Sequence, residues 1–257
     1  MLRVRPVHYT SRMQEYKALL TALELAVTAD YETWMEFDAG HGRLAVHAMP
    51  AGPDDGVTSL GFEARDLEEF RRRTEEAGTR AEPFSADHGG SVKVTSPEGT
   101  VFLVDRANEA AEPHDADPSL TVAAVWTTTE LPAAAKVLAD IGARRRPTAR
   151  DGGQTGSSQV DRDLTDVGRA DFMAKNGGII TVQQGTVAGI AIGFEYDGGL
   201  EVLRDRLASA GFQARLTEDA GGRVLLVTDP DGSRSAGSPG GAGGGTIRIR
   251  ETPPQQA

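Results

Sequence analysis

Apolar residues along the chain follow two spacings. Short runs that alternate or stay apolar for about six residues read as strands: "RLAVHA" (43–48), "TVFLVD" (100–105), "GIITVQ" (178–183) and "TIRIRE" (246–251). Between such runs, a period near 3.6 predicts amphipathic helices, as at Leu19, Leu20 and Leu23 and again at Val202, Leu203 and Leu207. Ala77-Gly78 and Ala210-Gly211 mark helix ends, where glycine supplies the left-handed cap.

The pattern repeats. "LGFEARDLEEFRRRTEEAG" starts at Leu60 and "IGFEYDGGLEVLRDRLASAG" starts at Ile192. "VKVTSPEG" from Val92 is matched by "LLVTDPDG" from Leu225, close to the same offset. More weakly, "VRPVHYTSRMQEYKALL" lines up with "VAAVWTTTELPAAAKVL", which puts Trp126 where His8 stands. "GHGRLAVHAMP" lines up with "KNGGIITVQQG", and Gln183 takes the place of His47. Each half is itself two units of strand, helix and further strands. The chain is therefore expected to be α+β, with domains at 1–107 and 119–252. A polar, acidic, proline-bearing linker joins them at 108–118. Polar glycine- and serine-rich stretches at 144–168 and 232–246 are expected to be loops, and 253–257 a disordered tail.

Composition narrows the function. Of 257 residues, 38 are Asp or Glu and 27 are Lys or Arg, a formal net charge of −11. That argues against gripping a nucleic-acid backbone and, by long-range attraction, suits a cationic ligand. The absence of cysteine excludes zinc–thiolate sites, iron–sulfur clusters and thiol nucleophiles. No run is long enough to span a membrane and the N-terminus does not read as a secretory signal, so a cytoplasmic location is expected. "GGAGGG" is followed by neither Lys-Ser/Thr nor a helix, so it is not a phosphate loop. Arg71, Arg72 and Arg73 sit among acidic residues on a helix and read as a solvated face.

Four βαβββ units paired into two domains, carrying "GFE", "VTxPxG" and a closing strand, resemble the vicinal oxygen chelate superfamily. That group includes glyoxalase I, bleomycin and fosfomycin resistance proteins and extradiol dioxygenases. The resemblance implies two curved sheets around cavities with helices outside. It also implies that metal-dependent members carry His or Glu on the cavity face of the first, fourth, fifth and eighth strands. Carried onto this chain, those positions are His8, Ala45 or His47, Ser59 and Leu103 in the first domain. In the second they are Trp126, Thr181 or Gln183, Ala191 and Ile249. Leucine and isoleucine cannot ligate, and two histidines would need a carboxylate such as Glu36 or Glu63.

The expectation is thus a binding protein without a metal or cofactor, of the bleomycin-resistance type, sequestering a small organic molecule such as an antibiotic. Its walls would be His8, Trp34, His47, Ser59, Glu63, Leu103, Trp126, Gln183 and Glu195. Glu63 and Glu195 read either as cavity carboxylates or as strand-end residues paired with arginine. Trp126 reads either as a stacking wall of the second cavity or as core. The alternative is a glyoxalase-like, metal-dependent lyase, isomerase or dioxygenase using the first domain. A third possibility is that one domain only supports the other. Neither nucleic acid nor membrane is expected as a partner, and the chain is read as a monomer or homodimer.

Overall fold

The computed structural model describes residues 2–86, 89–107, 115–146, 168–219, 221–232 and 245–252. The expected tail and most of the expected linker and loops, at 108–114, 147–167 and 233–244, lie outside the described residues. The edges of those segments are more ordered than expected. Arg144–Arg145 form a short strand, and Asp117 donates its N–H to Glu24 O and accepts from Gly40 N.

The first domain runs β1 (Leu2–Val4), β2 (Val7–Thr10), α1 (Met13–Ala22), β3 (Ala26–Asp30), β4 (Trp34–Asp38), β5 (Arg43–Ala48), β6 (Val57–Ser59), β7 (Gly61–Ala64), α2 (Leu67–Glu76), β8 (Arg80–Ala86), β9 (Gly89–Thr95) and β10 (Val101–Arg106). The second runs β11 (Leu120–Thr128), α3 (Leu131–Asp140), β12 (Arg144–Arg145), β13 (Arg169–Met173), β14 (Ile179–Gln184), β15 (Gly189–Tyr196), α4 (Leu200–Ser209), β16 (Ala214–Asp219), β17 (Gly222–Thr228) and β18 (Thr246–Glu251).

Strands of the second domain form one sheet in the order β12-β13-β14-β11-β15-β18-β17-β16. The first domain shows two five-stranded sheets, β3-β4-β5-β2-β6 and β1-β7-β10-β9-β8. These are one curved sheet interrupted at Pro6, which has no N–H to give to the ladder. Pairing keeps its register across the break: Val4 faces Phe62, Val7 faces Ser59, and Arg5 N–H still bonds Gly61 O at 2.9 Å. The two domains therefore share one strand order, as the sequence repeat predicts.

The helices cover one face of each sheet, and their cores cross the domain boundary. One core joins α3 residues Leu131, Ala134 and Leu138 to Phe62, Phe102 and Val104 of the first domain. The other joins Tyr16, Leu19 and Leu20 of α1 to Leu203 and Leu207 of α4. The arginines on α2 pair at three- and four-residue spacing with Glu68, Glu69, Glu75 and Glu76, a solvated face as read.

Two glycine turns meet between the domains. Val122 N bonds His41 O at 2.8 Å, and Val4 N bonds Gly177 O at 3.0 Å. Gly178 has φ +89°, and a Cβ there would lie 2.4 Å from Val4 Cβ. At the other ends of these strands, each domain grips the Pro-containing turn of the other. Thr128 Oγ1 donates to Glu98 at 2.5 Å, and Thr10 Oγ1 donates to Asp231 at 2.7 Å. The second grip is stronger. His8 Nε2 bonds Asp231 at 2.8 Å, its Nδ1 lies 2.9 Å from Thr58 Oγ1, and Tyr16 OH donates to Asp229. Burial alone would raise the Asp231 carboxyl, but the hydrogen bonds from His8 and Thr10 outweigh it and hold it below the usual range.

Gly178→Ala is expected to lower stability by about 2–4 kcal/mol in urea unfolding, from overlap and a left-handed backbone together. Gly90→Ala, whose Cβ would meet nothing within 4 Å, is the control and should change little. For Asp231, a folded-state value below the unfolded one of about 3.9 means stability present above the unfolded value and lost as pH falls from there through the lower folded value. Asp231→Asn should therefore lose urea midpoint less steeply than wild type on acidification from about pH 6 to pH 2. Equal slopes would show that this carboxylate plays no part in the acid limb.

Candidate functional site

Opposed residues in a sheet share a face, so the ladders say which side chains line each trough. In the first domain, Arg3, Arg5, Val7 and Tyr9 share the face of Glu36, Asp38, Arg43 and His47, and of Ser59, Glu63, Leu103 and Asp105. This face is filled by its own charges. Arg43 bonds Asp38 and reaches Glu36 and Glu63, each at 3.1 Å. Arg5 bonds Asp105 and reaches Glu36 at 2.9 Å. Arg3 reaches Glu63 at 2.5 Å, and Ser91 donates to Asp105. Burial by itself disfavours the Arg43 charge, but the hydrogen bonds it donates to Asp38 and the field of Glu63 hold it above the ordinary arginine value. Beyond the network, Trp34 and Tyr9 pack on His47 at ring distances of 5.8 and 5.5 Å, with the Arg5 guanidinium 5.3 Å from Trp34.

The second domain changes the same positions. The ladder puts Thr121 and Ala123 where Arg3 and Arg5 stand, and Ile179 where Arg43 stands. With those arginines gone, the trough is open. A cavity of about 630 Å³ follows it, floored by Ala123, Val125, Ala191 and Gly193. Thr181, Gln183, Arg169, Glu195, Arg248 and Arg250 face it, and one end runs to Thr58 and His8 of the first domain. Glu195, the counterpart of Glu63, is met instead by Arg146 at 2.7 and 2.8 Å. Asp219 accepts from Arg250 at 2.7 and 2.8 Å and from Arg248. The Arg250 hydrogen bonds, chief among its causes, hold the Asp219 carboxyl far below the usual range. Gln183 donates to Thr127 at 3.1 Å.

Placement of the expected residues is mixed. Gln183 and Glu195 line the open cavity. Trp34, His47, Ser59, Glu63 and Leu103 lie on the first trough, with Glu63 consumed by its arginine partners. Trp126 is not a cavity wall: Val125 faces the cavity, so Trp126 points to the helices. It is fully buried there, its ring edge-on to Phe102 at 6.4 Å. His8 shares that helix-side position rather than the trough of its own domain, and it reaches the second cavity from behind. Ile249 likewise lies in the helix-side core, and the last strand presents Arg248 instead. His8, Trp126 and Ile249, named for the first and last strands, each stand one residue from the trough position, and a step of one along a strand changes the face. Arg169, Arg248 and Arg250 were not anticipated, although the Ile-Arg alternation of "TIRIRE" puts both its arginines opposite the core.

These residues do not fit a divalent metal. The cavity positions on the first, fourth, fifth and eighth strands of the second domain are Val125, Thr181 or Gln183, Ala191 and Arg248. Those of the first are Val7, Ala45 or His47, Ser59 and Leu103. Among the described residues no three His, Asp or Glu are grouped to hold a metal ion. Among them, too, no helix is long and apolar enough to cross a membrane.

No family model matches the sequence, and no curated protein matches it. Solved structures do match in fold. A homoprotocatechuate 2,3-dioxygenase variant from Brevibacterium fuscum in complex with HPCA aligns at TM-score 0.59 and 16% identity, over 96% of this chain and 69% of that one. A halotolerant catechol dioxygenase aligns at 0.55 and 14%, over 97% and 84%. The Mn(II)-bound glyoxalase from Novosphingobium aromaticivorans aligns at 0.57 and 14%, over 98% and 82%. With two sheets of one strand order and neighbours of this kind, the chain has the vicinal oxygen chelate fold in its tandem, two-domain form.

Proposed function

We propose that the protein binds a small organic molecule in the trough of its second domain and holds it without a metal, as a sequestering protein of the bleomycin-resistance type does. The observation that supports this reading is the contrast between the two troughs. Where the first domain packs Arg5 and Arg43 into a buried ion network, the second has Ala123 and Ile179 and an open cavity. A volume of about 630 Å³ falls in the range of small-molecule sites. The first domain then acts as support: it supplies part of each helix-side core and the residues that hold the turn at Asp229–Asp231.

The second reading is a metal-dependent lyase, isomerase or dioxygenase. The named neighbours favour it, being ring-cleaving dioxygenases and a Mn(II)-bound glyoxalase. The donor set of this chain speaks against it in both troughs.

Metal analysis separates the two. Protein purified without chelator and dialysed against Mn(II) or Fe(II) is expected to retain far less than one ion per chain. Stoichiometric metal that is lost on His47→Ala or Glu195→Gln would instead establish the second reading. In a thermal-shift screen of small organic molecules, stabilising compounds should act on the wild type and lose their effect on Ala191→Trp, in which an indole occupies the floor. Compounds that stabilise both proteins equally would place the site elsewhere.

A further inference from the structure

The charges of the second trough are rearranged from those of the first, and the rearrangement selects a ligand. Level with each other in the first domain stand Arg5, Gly61 and Leu103; in the second, Ala123, Gly193 and Arg248. One level further, Arg3, Glu63 and Asp105 become Thr121, Glu195 and Arg250. Arginine has moved from the first strand to the last, from a packed network to an open wall.

Pairing on that wall is incomplete. Asp219 is one carboxylate shared by two guanidinium groups, so the cluster keeps a net positive charge. Arg169 is matched by Asp171 and Arg146 by Glu195. The local excess of one positive charge therefore sits at Arg248 and Arg250, inside a chain whose net charge is −11. Asp54 and Asp229 belong to the interdomain end of the cavity, and Asp229 there accepts from Tyr16. The −11 of the whole chain pointed to a cationic ligand; the arginine pair of the last strand points the other way. Among the described residues Arg248 makes a single side-chain hydrogen bond, from Nη2, and it is the most exposed arginine of the wall at 38%. By the ladder Arg248 stands level with Ala123 and Gly193, the smallest part of the floor.

We propose that the ligand is a small organic carboxylate, its anionic group received by Arg248 and its apolar body lying on Ala123, Val125, Ala191 and Gly193. This rests on the reading of the second trough as the ligand site. The guanidinium fork matches a carboxylate in two parallel hydrogen bonds, and a floor of small side chains leaves a slot for a flat body.

The test is calorimetric titration of benzoate and 2-naphthoate, against their amides and the corresponding arylmethylamines, with folding of each variant checked by thermal melt. The carboxylates are expected to bind about 10- to 100-fold tighter than the amides. Arg248→Gln should bring them down to the amide level and leave the amides unchanged, and Ala191→Trp should abolish all binding. Amides or amines that bind as well as carboxylates, and are lost in Ala191→Trp, overturn the carboxylate proposal while keeping the trough as a ligand site. Carboxylate binding that survives Ala191→Trp overturns the trough itself. Carboxylate binding untouched by Arg248→Gln, or no carboxylate binding to the folded wild type, also overturns the proposal.

Discussion

Both halves depend on the antiparallel ladder between first and fifth strand, β1–β2 with β6–β7 and β11 with β15. It ties the two βαβββ units of a domain into one sheet, and the two-residue period of the strand then divides every side chain between two faces. One face has no freedom. It is committed to helix-side cores that each draw on both domains, so Phe62 and Trp126, or Leu19 and Leu207, are buried in common. The opposite face is what remains, and because the sheet curves it becomes the wall of a trough. A domain of this build has to do something with that concave surface: fill it or leave room for a guest.

The first domain fills it with charge. Buried pairs such as Arg43–Asp38 are poor evidence of stabilisation, since the desolvation of both partners offsets much of their attraction. Their geometry nonetheless fills the trough, because each carboxylate is met by at least one guanidinium and Arg5, Arg43, Asp38 and Glu63 are all buried. The second domain loses the arginines of its first and fourth strands and retains Glu195. An unpaired buried carboxylate would be costly, and Arg146, just beyond β12, restores the partner from another direction. The open cavity and the Arg146–Glu195 pair are thus two results of the same substitutions.

How much of this the sequence reveals follows from the same period. The tandem repeat, and with it the likeness of the two halves, is legible because "GFE" and the Pro-containing turn recur at nearly constant offset. Faces are harder. His8, Trp126 and Ile249 sit one residue away from the trough positions, and in short mixed strands such as "VAAVWTTT" both phases look half apolar. Charges carry a signal that was available: Arg3 and Arg5, Glu36 and Asp38, and Arg248 and Arg250 are each spaced by two on strands whose intervening residues are apolar. Which arginine meets which carboxylate depends on strands up to a hundred residues apart, as Arg5 and Asp105 are, and no local pattern encodes that.

The arginine wall also bears on why a fold shared with a Mn(II)-bound glyoxalase lacks donors here. A divalent cation about 4 Å from one guanidinium is repelled by about 8 kcal/mol at an effective dielectric constant of roughly 20. Arg248 and Arg250 stand together on the last strand, and Asp219 offsets only one of them. Restoring a histidine or glutamate at Val125 or Ala191 would therefore leave the repulsion in place. On the proposed reading, arginine at the last-strand position does more than remove a ligand atom: the same charge that would repel a cation there would hold an anion.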